Sequence, residues 1–336
     1  MGRSLEYRVL SEDAGMTLEK ILFQRLGLTV RQIRRSKFRE DGICVNGQRS
    51  RVSTVLKDGD LVTVQIGDLP KAEEYSGSPE EAGSFGEDLL QILYEDEDIL
   101  AVNKPAMMAL HPAHGHYGDT LSDAVRQYYA QQMIALTVRA VGRLDRETSG
   151  IVIFAKNAVA AARLFRAKQR YRGSGEADQN RNPVSDREFL KYYLVLAEGS
   201  FAEEQFETDL PVRKAASVLN RMEAGNHLCG AKPAKTCFRV LRHFPEGYAL
   251  LEALPVTGRT HQIRVHLSAS GHPLLGDRIY GGIMDQGISR AALHCHKAVF
   301  CHPVTGEPLV LQAEPPEDFR KLMQGYERAA NAPDVI

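Results

Sequence analysis

The chain has 336 residues, of which 43% are hydrophobic and 25% are charged, and its formal net charge is −1. These proportions are ordinary for a soluble globular protein, and the length predicts one sizeable core with a smaller module beside it. No apolar run approaches the ~20 residues of a membrane span, and the N-terminus lacks the apolar core of a signal peptide. We therefore expect a two-domain cytoplasmic protein that does not enter a membrane.

The net charge hides an uneven distribution along the chain. Residues 1–69 hold 12 Lys and Arg against 9 Asp and Glu, residues 71–98 hold one lysine and ten acids, and residues 99–336 carry a net charge of +5. Residues 70–88 are also rich in Gly, Ser, Pro and Glu, which is typical of a flexible, self-repelling linker. The sequence therefore predicts two mildly basic domains. A positive net charge of this size permits binding to a polyanion without requiring it.

The cysteines lack the spacing of a disulfide framework and are odd in number. Both features indicate reduced thiols rather than disulfides. They are the five residues Cys44, Cys229, Cys237, Cys295 and Cys301.

The sequence pattern of the first domain predicts two short helices followed by short strands. Apolar residues recur at helical spacing in TLEKILFQRLG, and Gly27 breaks the pattern before a second helix. Asn46-Gly47 is a strong signal for a tight hairpin, and residues 57–60 predict a second turn.

A run of basic residues without any acid extends from Arg25 to Arg39. On a helix, Arg31, Arg34 and Arg35 share one face through their spacing of three and four residues. An ordinary solvated helix face explains such a cluster as well as a phosphate-binding surface does. The candidate polyanion-binding residues are Arg31, Arg34, Arg35, Lys37 and Arg39.

The sequence pattern of the second domain predicts both strands and helices along the chain. Two extended runs flank an acidic turn at 95–98, and an amphipathic helix at 119–131 is capped by Asp119 or Thr120. Later elements are a buried strand at 151–154, a helix at 158–170, a strand at 189–199, an irregular stretch at 200–235, two strands within 236–254, and a helix that Thr260 caps and Gly271 closes.

The stretch AVGRLDRETSGIVIFAKN, residues 140–157, places Asp145 between Arg143 and Arg146 on a turn between extended segments. A carboxylate between two guanidinium groups suits catalysis. It suits a structural ion pair or a hydrogen-bonded turn equally well, so these residues alone leave the alternatives open.

Three motifs in this domain resemble those of the RluA-type pseudouridine synthases. GRLDRETSG resembles their signature loop, which implies that Asp145 is catalytic, although Gly142 stands where those enzymes usually have histidine. KYYL resembles a motif whose tyrosine, here Tyr193, faces the aspartate, and strand alternation puts Tyr192 on the opposite face. GRTHQIRVHL resembles a third motif, in which the arginine, here Arg264, pairs with the catalytic carboxylate.

Further likenesses extend the prediction. Asn103-Lys104-Pro105 resembles the family's opening motif, with Met107 where a glycine is common, and residues 5–66 resemble an S4-like RNA-binding module. The substrate-binding candidates beside the catalytic residues are Arg143, Arg146, Arg259, His261 and Gln262.

The resemblance implies an α+β fold with a long mixed, mainly antiparallel sheet and a central cleft, plus a small S4-like α/β module. The expected domains are an RNA-binding module at 1–69, a linker at 70–88, a catalytic domain at 89–325 with a surface insertion at 172–186, and a tail at 326–336. The implied activity is isomerisation of uridines in structured RNA, with large-subunit ribosomal RNA preferred and transfer RNA open. We expect a monomer that needs no cofactor.

Other classes of function remain as alternatives. A nucleosidase or glycosidase would need a second carboxylate beside Asp145, and Glu147 is the only near candidate. A non-catalytic RNA-binding or ribosome-assembly factor could keep the same fold. The C-terminal His294, Cys295, His296, Cys301 and His302 are possible metal ligands, but they lack a Cys-x-x-Cys spacing and resemble the family's metal-free closing strands, so no metal is predicted.

Overall fold

The computed structural model describes residues 3–67, 90–112, 118–134, 136–173, 188–216, 221–226, 230–245, 247–284 and 287–330. The predicted linker at 70–88 lies outside these residues, as do residues 174–186 of the predicted insertion. Among the helices that are described, none combines the length and the apolar character needed to cross a bilayer.

A small domain occupies residues 3–67. Its helices are α1 (Leu18–Gln24) and α2 (Val30–Lys37), and its strands are β1 (Ser4–Arg8), β2 (Ile43–Val45), β3 (Gln48–Arg49) and β4 (Leu61–Gln65). The strands form an antiparallel sheet in the order β1-β4-β2-β3. Asn46 and Gly47 have φ values of 51° and 78°, which confirms the predicted tight hairpin.

Helix α2 has a buried side and a basic side. Thr29 and Gln32 form a capping box at its start, and Ile33 packs into the apolar core of the small domain. Arg31, Arg34 and Lys37 are exposed. The predicted basic helix face therefore lies in solvent.

The large domain is built on a nine-stranded sheet. Its strands are β5 (Gln91–Glu95), β6 (Ile99–Lys104), β7 (Ser149–Ala155), β8 (Phe189–Glu198), β9 (Gln205–Thr208), β12 (Thr236–Phe244), β13 (Tyr248–Pro255), β14 (Leu293–Cys301) and β15 (Pro308–Gln312). A separate hairpin consists of β10 (Val212–Lys214) and β11 (Met222–Ala224), and the helices are α3 (Leu121–Gln131), α4 (Ala158–Gly173), α5 (Gln262–Ala269) and α6 (Glu317–Ala330).

The sheet runs in the order β5-β6-β7-β14-β8-β13-β12-β9, with β15 beside β14. Every pairing is antiparallel except that of β7 with β14. This architecture confirms the large, mainly antiparallel sheet that the sequence predicted.

Two local predictions were wrong. Residues 200–235 contain β9, β10 and β11, which are too short for alternation to be visible in the sequence. Thr260 does not cap α5, because His261 occupies that position with a left-handed backbone, φ 53°, and makes no side-chain capping bond.

Strand β7 is buried along its whole length, and its start is fixed by a close approach to β14. Gly150 has φ +114°, and a Cβ at this position would overlap the backbone of Cys295. Ser149 and Gly150 pair in parallel with His294 and Cys295. Only glycine allows the two strands to meet here, at the end of the loop that carries Asp145.

The two domains are in contact at the first turns of α4. Arg163 donates to the carbonyl oxygens of Leu26 at 2.5 Å and Pro303 at 2.7 Å, and Val159 belongs to the apolar core of the small domain. These contacts join the small domain directly to the large domain, and the prediction of a flexible linker at 70–88 stays a prediction.

We expect Gly150→Ala to lower the free energy of unfolding by more than about 3 kcal/mol, because it adds both backbone strain and a backbone clash. Gly306→Ala is the matched control. Gly306 also has a left-handed backbone, φ +80°, but has open space around it, so we expect a loss of about 1 kcal/mol. Urea unfolding measures both, and equal losses would contradict the role of the close approach.

Candidate active site

The loop between residues 142 and 149 holds Asp145 at the edge of a pocket. Leu144 is buried below it, and the amide of Thr148 donates to the Asp145 carbonyl at 3.1 Å. At the far end, the Ser149 hydroxyl lies 2.9 Å from Nδ1 of His294. The loop is therefore anchored on buried groups at both ends while the Asp145 side chain keeps 17% of its surface exposed.

Lys104 braces this loop from behind. Its ammonium group is fully buried and donates to the carbonyl oxygens of Pro105 at 2.8 Å, Met108 at 2.9 Å and Arg146 at 3.2 Å. Burial lowers the pKa of Lys104 to about 7. Met107 adopts a left-handed backbone, φ 63°, so the turn keeps the conformation that a glycine would favour.

The pocket is open to solvent, and its walls come from the Asp145 loop, from β8, and from the end of β13 together with the start of α5. Among the described residues that line it, Asp145 is the only acid. The cationic side chains around it are those of Arg143, Lys168, Lys191, Arg259 and Arg264. The site therefore attracts anions while holding a single carboxylate.

Tyr193 lines the pocket from β8 and is 8% exposed. Burial raises the pKa of its phenol well above 10, and nearby Cys295 and Asp145 add to the shift, so Tyr193 is a neutral phenol at physiological pH. Tyr192 points to the other face of the sheet, where Nζ of Lys297 lies 4.0 Å from its ring centroid. The structure thus separates the two tyrosines as strand alternation predicted.

Arg264 lines the pocket from α5 and is 1% exposed. Its Nε and one terminal nitrogen each lie 2.7 Å from the Asp277 carboxylate, and Glu147 is 2.9 Å away. Burial alone would lower the pKa of Arg264, but the hydrogen bonds and charge of Asp277 raise it. The direct partners of Arg264 are therefore Asp277 and Glu147, not Asp145 as the resemblance implied.

Arg143 lies beside Asp145 at the mouth of the pocket. One terminal nitrogen donates to the Thr260 hydroxyl at 2.8 Å, and the other is 3.6 Å from the Asp145 carboxylate. The side chain remains 57% exposed. Arg143 can therefore contact both the loop that carries Asp145 and a ligand that enters from solvent.

The remaining substrate-binding candidates differ in position. Arg146 donates to the Met107 carbonyl and is not among the residues around the pocket, whereas Arg259 lines the pocket and donates to the Pro233 carbonyl. His261 also lines it, with Nδ1 2.9 Å from the Tyr280 hydroxyl, and burial lowers the pKa of the imidazole.

Gln262 lines the pocket, but its amide is occupied by protein groups. It accepts from the Thr257 hydroxyl at 2.6 Å and the Arg259 amide at 3.0 Å, and it donates to the Lys235 carbonyl and the Thr236 hydroxyl. These contacts brace the loop before α5, and a direct contact to substrate stays a prediction.

Sequence reasoning missed Asp277 and Tyr280. Asp277 is fully buried and also accepts from the amides of Ile279 and Tyr280, and the Arg264 guanidinium lies 5.2 Å from the Tyr280 ring centroid. An aspartate inside the Gly-rich GDRIYGG turn was the available signal, but nothing in the sequence linked it to Arg264.

One group among the described residues could present ligand atoms to a cation: Asp96, Asp98 and His302. It lies away from the pocket. Arg3 already binds Asp98 at 2.7 Å, and Nδ1 of His302 accepts from the Thr305 amide, which leaves Nε2 to face Asp96 at 2.9 Å. These contacts make it an ionic cluster beneath the small domain.

Residues 98–269 match the family model for RNA pseudouridylate synthase. The chain is 32% identical over 326 residues to the uncharacterized RNA pseudouridine synthase YhcT of Bacillus subtilis (strain 168), covering 97% of this chain and 98% of that protein. The chain belongs to the RNA pseudouridylate synthase family.

Other relatives agree with this assignment. The chain is 31% identical to ribosomal large subunit pseudouridine synthase D of Yersinia pestis, over 84% of this chain and 82% of that protein. The solved structure of human RNA pseudouridylate synthase domain containing 1 superposes with a TM-score of 0.52 and 26% identity, covering 73% of this chain and 97% of that one. The protein is an RNA pseudouridine synthase, an isomerase that acts on uridine in RNA.

We expect Asp277→Asn to lower the free energy of unfolding by about 3–5 kcal/mol and to reduce pseudouridine formation, because it leaves the buried Arg264 without its main counter-charge. Asp318→Asn is the control. Asp318 holds Arg290 in a similar two-point contact, at 2.7 and 2.9 Å, but it is 34% exposed and lies outside the pocket.

Urea unfolding and initial rates measure the two variants together. Asp318→Asn should also lower the stability, because Arg290 is itself 2% exposed, but it should keep its rate within about twofold because it lies outside the pocket. Comparable losses of rate in both variants would show that the ion pair of Arg264 has no specific effect on pseudouridine formation.

Proposed function

We propose that Asp145 is the carboxylate that acts on the target uridine, that Tyr193 and Arg264 complete the catalytic site, and that the substrate is large-subunit ribosomal RNA. The observation that carries the site assignment is that Asp145 is the one acid among the described residues of a cationic pocket. The synthase relatives with ribosomal names support the choice of RNA.

The reaction requires one carboxylate and no redox chemistry. The N1–C1′ bond of uridine breaks, the uracil turns, and C5 bonds to C1′. C5 then loses its proton and N1 gains one, so the reaction is an isomerisation. A carboxylate can attack as a nucleophile or act as the base that starts cleavage. The Asp145 side chain keeps 17% of its surface exposed in the pocket, so a nucleotide bound there can contact its carboxylate.

Tyr193 supports the uracil as a neutral phenol. Burial raises the pKa of this phenol, and a phenol that stays protonated is a poor base for the C5 proton. A buried aromatic ring beside the carboxylate instead provides a flat apolar surface for the base.

Arg264 and its acids set the field around Asp145. Two carboxylates hold the guanidinium on the pocket wall, so its charge acts on Asp145 without a direct contact. His261 remains neutral beside them because burial disfavours the imidazolium.

Substrate recognition begins outside the pocket. The small domain has the two helices and the hairpin of an S4-like module, and its exposed α2 side chains suit contacts with phosphates, which supply affinity and register but no sequence reading. The proposed surface consists of Arg31, Arg34, Arg35, Lys37 and Arg39. In this proposal, residues 1–69 act as the RNA-binding module and residues 89–325 act as the catalytic domain.

Asp145→Asn should abolish tritium release from RNA labelled at uridine C5 while leaving RNA binding intact. The amide keeps the shape of the side chain but lacks the negative charge that starts glycosidic cleavage. Initial rates of tritium release and a filter-binding isotherm measure the two properties.

Glu147→Gln is the control carboxylate, and it should retain measurable release because Glu147 faces Arg264 and does not line the pocket. Undiminished release from Asp145→Asn would overturn the site assignment. Mapping the pseudouridines lost from ribosomal and transfer RNA on deletion of the gene identifies the substrate, and a loss confined to transfer RNA would favour that alternative.

Arg143→Ala should slow turnover on structured RNA by about tenfold or more while leaving a short unstructured RNA nearly unaffected. The target uracil must leave its stack, at a cost of a few kcal/mol, and the exposed guanidinium at the mouth is placed to fill the gap. Arg146→Ala is the control, since Arg146 lies outside the pocket. Equal slowing on both RNAs would contradict this role.

A further inference from the structure

His261 has a strained backbone at the start of α5. Its φ of 53° and ψ of 22° lie in the left-handed region, which is unfavourable for a residue that has a side chain. The capping of α5 does not offset this strain, because the His261 side chain makes no capping bond. The same residue lines the pocket that contains Asp145. Strain of this kind is typical of a side chain whose direction matters at a ligand site.

Tyr280 fixes the direction of the imidazole. The phenol is 6% exposed, its ring is perpendicular to that of His261 with centroids 5.7 Å apart, and its oxygen lies 2.9 Å from Nδ1. The Met222 amide donates to the same oxygen at 3.0 Å. Strand β11 and helix α5 therefore share one hydroxyl, which holds the ring of His261 in place.

The contacts of this hydroxyl determine which nitrogen of His261 carries a proton. An amide can only donate, so the Tyr280 oxygen accepts from Met222. Among the described residues, the one acceptor left for the hydroxyl proton is Nδ1 of His261. Burial lowers the pKa of His261, while the charge of Asp145 opposes the shift, so the imidazole is neutral at physiological pH. A neutral imidazole whose Nδ1 accepts carries its proton on Nε2.

Nε2 of His261 is the available donor of this pair. It has no hydrogen-bond partner among the residues that the structure describes, and the side chain is half-buried on the pocket wall. Asp145 is close enough for its charge to act on the imidazole. A nucleotide that meets the Asp145 carboxylate therefore also lies close to an uncharged N–H donor.

A neutral donor suits the uracil better than the RNA backbone. When the N1–C1′ bond breaks, the electron pair stays with the uracil, and the negative charge is shared by N1, O2 and O4. A hydrogen bond to O2 or O4 strengthens as this charge develops, so it lowers the barrier as well as aiding binding. The uracil leaves as an anion whether Asp145 attacks C1′ or acts as a base. Phosphates are matched instead by the cationic side chains around the pocket.

We propose that Nε2 of His261 donates a hydrogen bond to a carbonyl oxygen of the target uracil, and that Tyr280 is the positioning residue that directs it there. The inference rests on the proposed function, because it names a substrate contact of the same site. It also gives a physical reason for the left-handed backbone of His261, which places the imidazole between Tyr280 and the pocket.

The first test measures kcat and KM on an RNA that carries the mapped target uridine. His261→Ala should lower kcat by about 100-fold and change KM less than about threefold, because the lost hydrogen bond acts mainly in the transition state. His261→Gln should recover about tenfold of this loss, since the Nε2 of glutamine is also an N–H donor. Alanine and glutamine bear the same left-handed backbone, so their comparison isolates the donor.

His272→Ala is the matched control. His272 is also half-buried, its Nδ1 lies 2.8 Å from the Glu198 carbonyl oxygen, and it does not line the pocket. We expect its kcat and KM to stay within about twofold of the wild type.

A substitution in the RNA identifies the oxygen. Replacing the target uridine by 2-thiouridine or by 4-thiouridine puts sulfur, a weak acceptor, in place of O2 or O4. One of these RNAs should slow the wild type by about tenfold, and the same replacement should slow His261→Ala much less. The RNA that shows this difference names the oxygen that accepts from Nε2.

Tyr280→Phe tests the positioning role. It removes the hydroxyl that donates to Nδ1, so nitrogen NMR spectra should show the Nε2–H tautomer of His261 in the wild type and a mixture in the variant. The value of kcat should fall about tenfold, and it should fall no further in a His261→Ala background. Thermal unfolding accompanies these variants, because the Met222 amide also loses its acceptor.

An unchanged kcat in His261→Ala, a rise in KM alone, or an equal cost of each thio-substitution in the wild type and in His261→Ala would overturn this inference. If His261→Ala does not fold, His261→Gln decides the matter, since its weaker hydrogen bond predicts a lower kcat and a smaller cost on the same thio-substituted RNA. Inactive Asp145→Asn with a wild-type-like His261→Ala would refute only the hydrogen bond to uracil, whereas active Asp145→Asn would refute the assignment of the site.

Discussion

The buried ion pair between Arg264 and Asp277 is the interaction on which the pocket depends. It joins α5 to the turn after it and, through Glu147, to the loop that carries Asp145. Removing either charge would leave the other unpaired in a medium of low dielectric constant, which costs far more than the pair itself contributes. The pair therefore matters less for net stability than for fixing three separate chain segments in one arrangement around Asp145.

Much of the fold could be predicted from local patterns. The Asn46-Gly47 hairpin, the wholly apolar β7 and the capped helix α3 each have a strong short-range signal, and all three are present. The strands β9 to β11 were missed because three or four residues show no period. The start of α5 was misplaced because His261 takes a left-handed backbone that residues other than glycine seldom adopt, and tertiary contacts rather than propensity hold it there.

The site was predictable to the extent that its residues lie in contiguous motifs. Those motifs brought Asp145, Tyr193 and Arg264 to one pocket from three distant stretches of the chain. The partners of these residues could not be read in the same way. Asp277 pairs with Arg264, and Lys168 lies over Gly142, only because of how helices and strands are arranged in space. Contacts of this kind cannot be predicted from the spacing of residues in a single sequence.

Helix α4 connects the small domain to the pocket. One end of this single rod is tied to the small domain through Arg163, and about one and a half turns later Lys168 reaches the pocket. Two stations on one rigid helix keep a constant separation. The distance from the small domain to the pocket is therefore set by a rigid helix and not by the length of the linker between the domains.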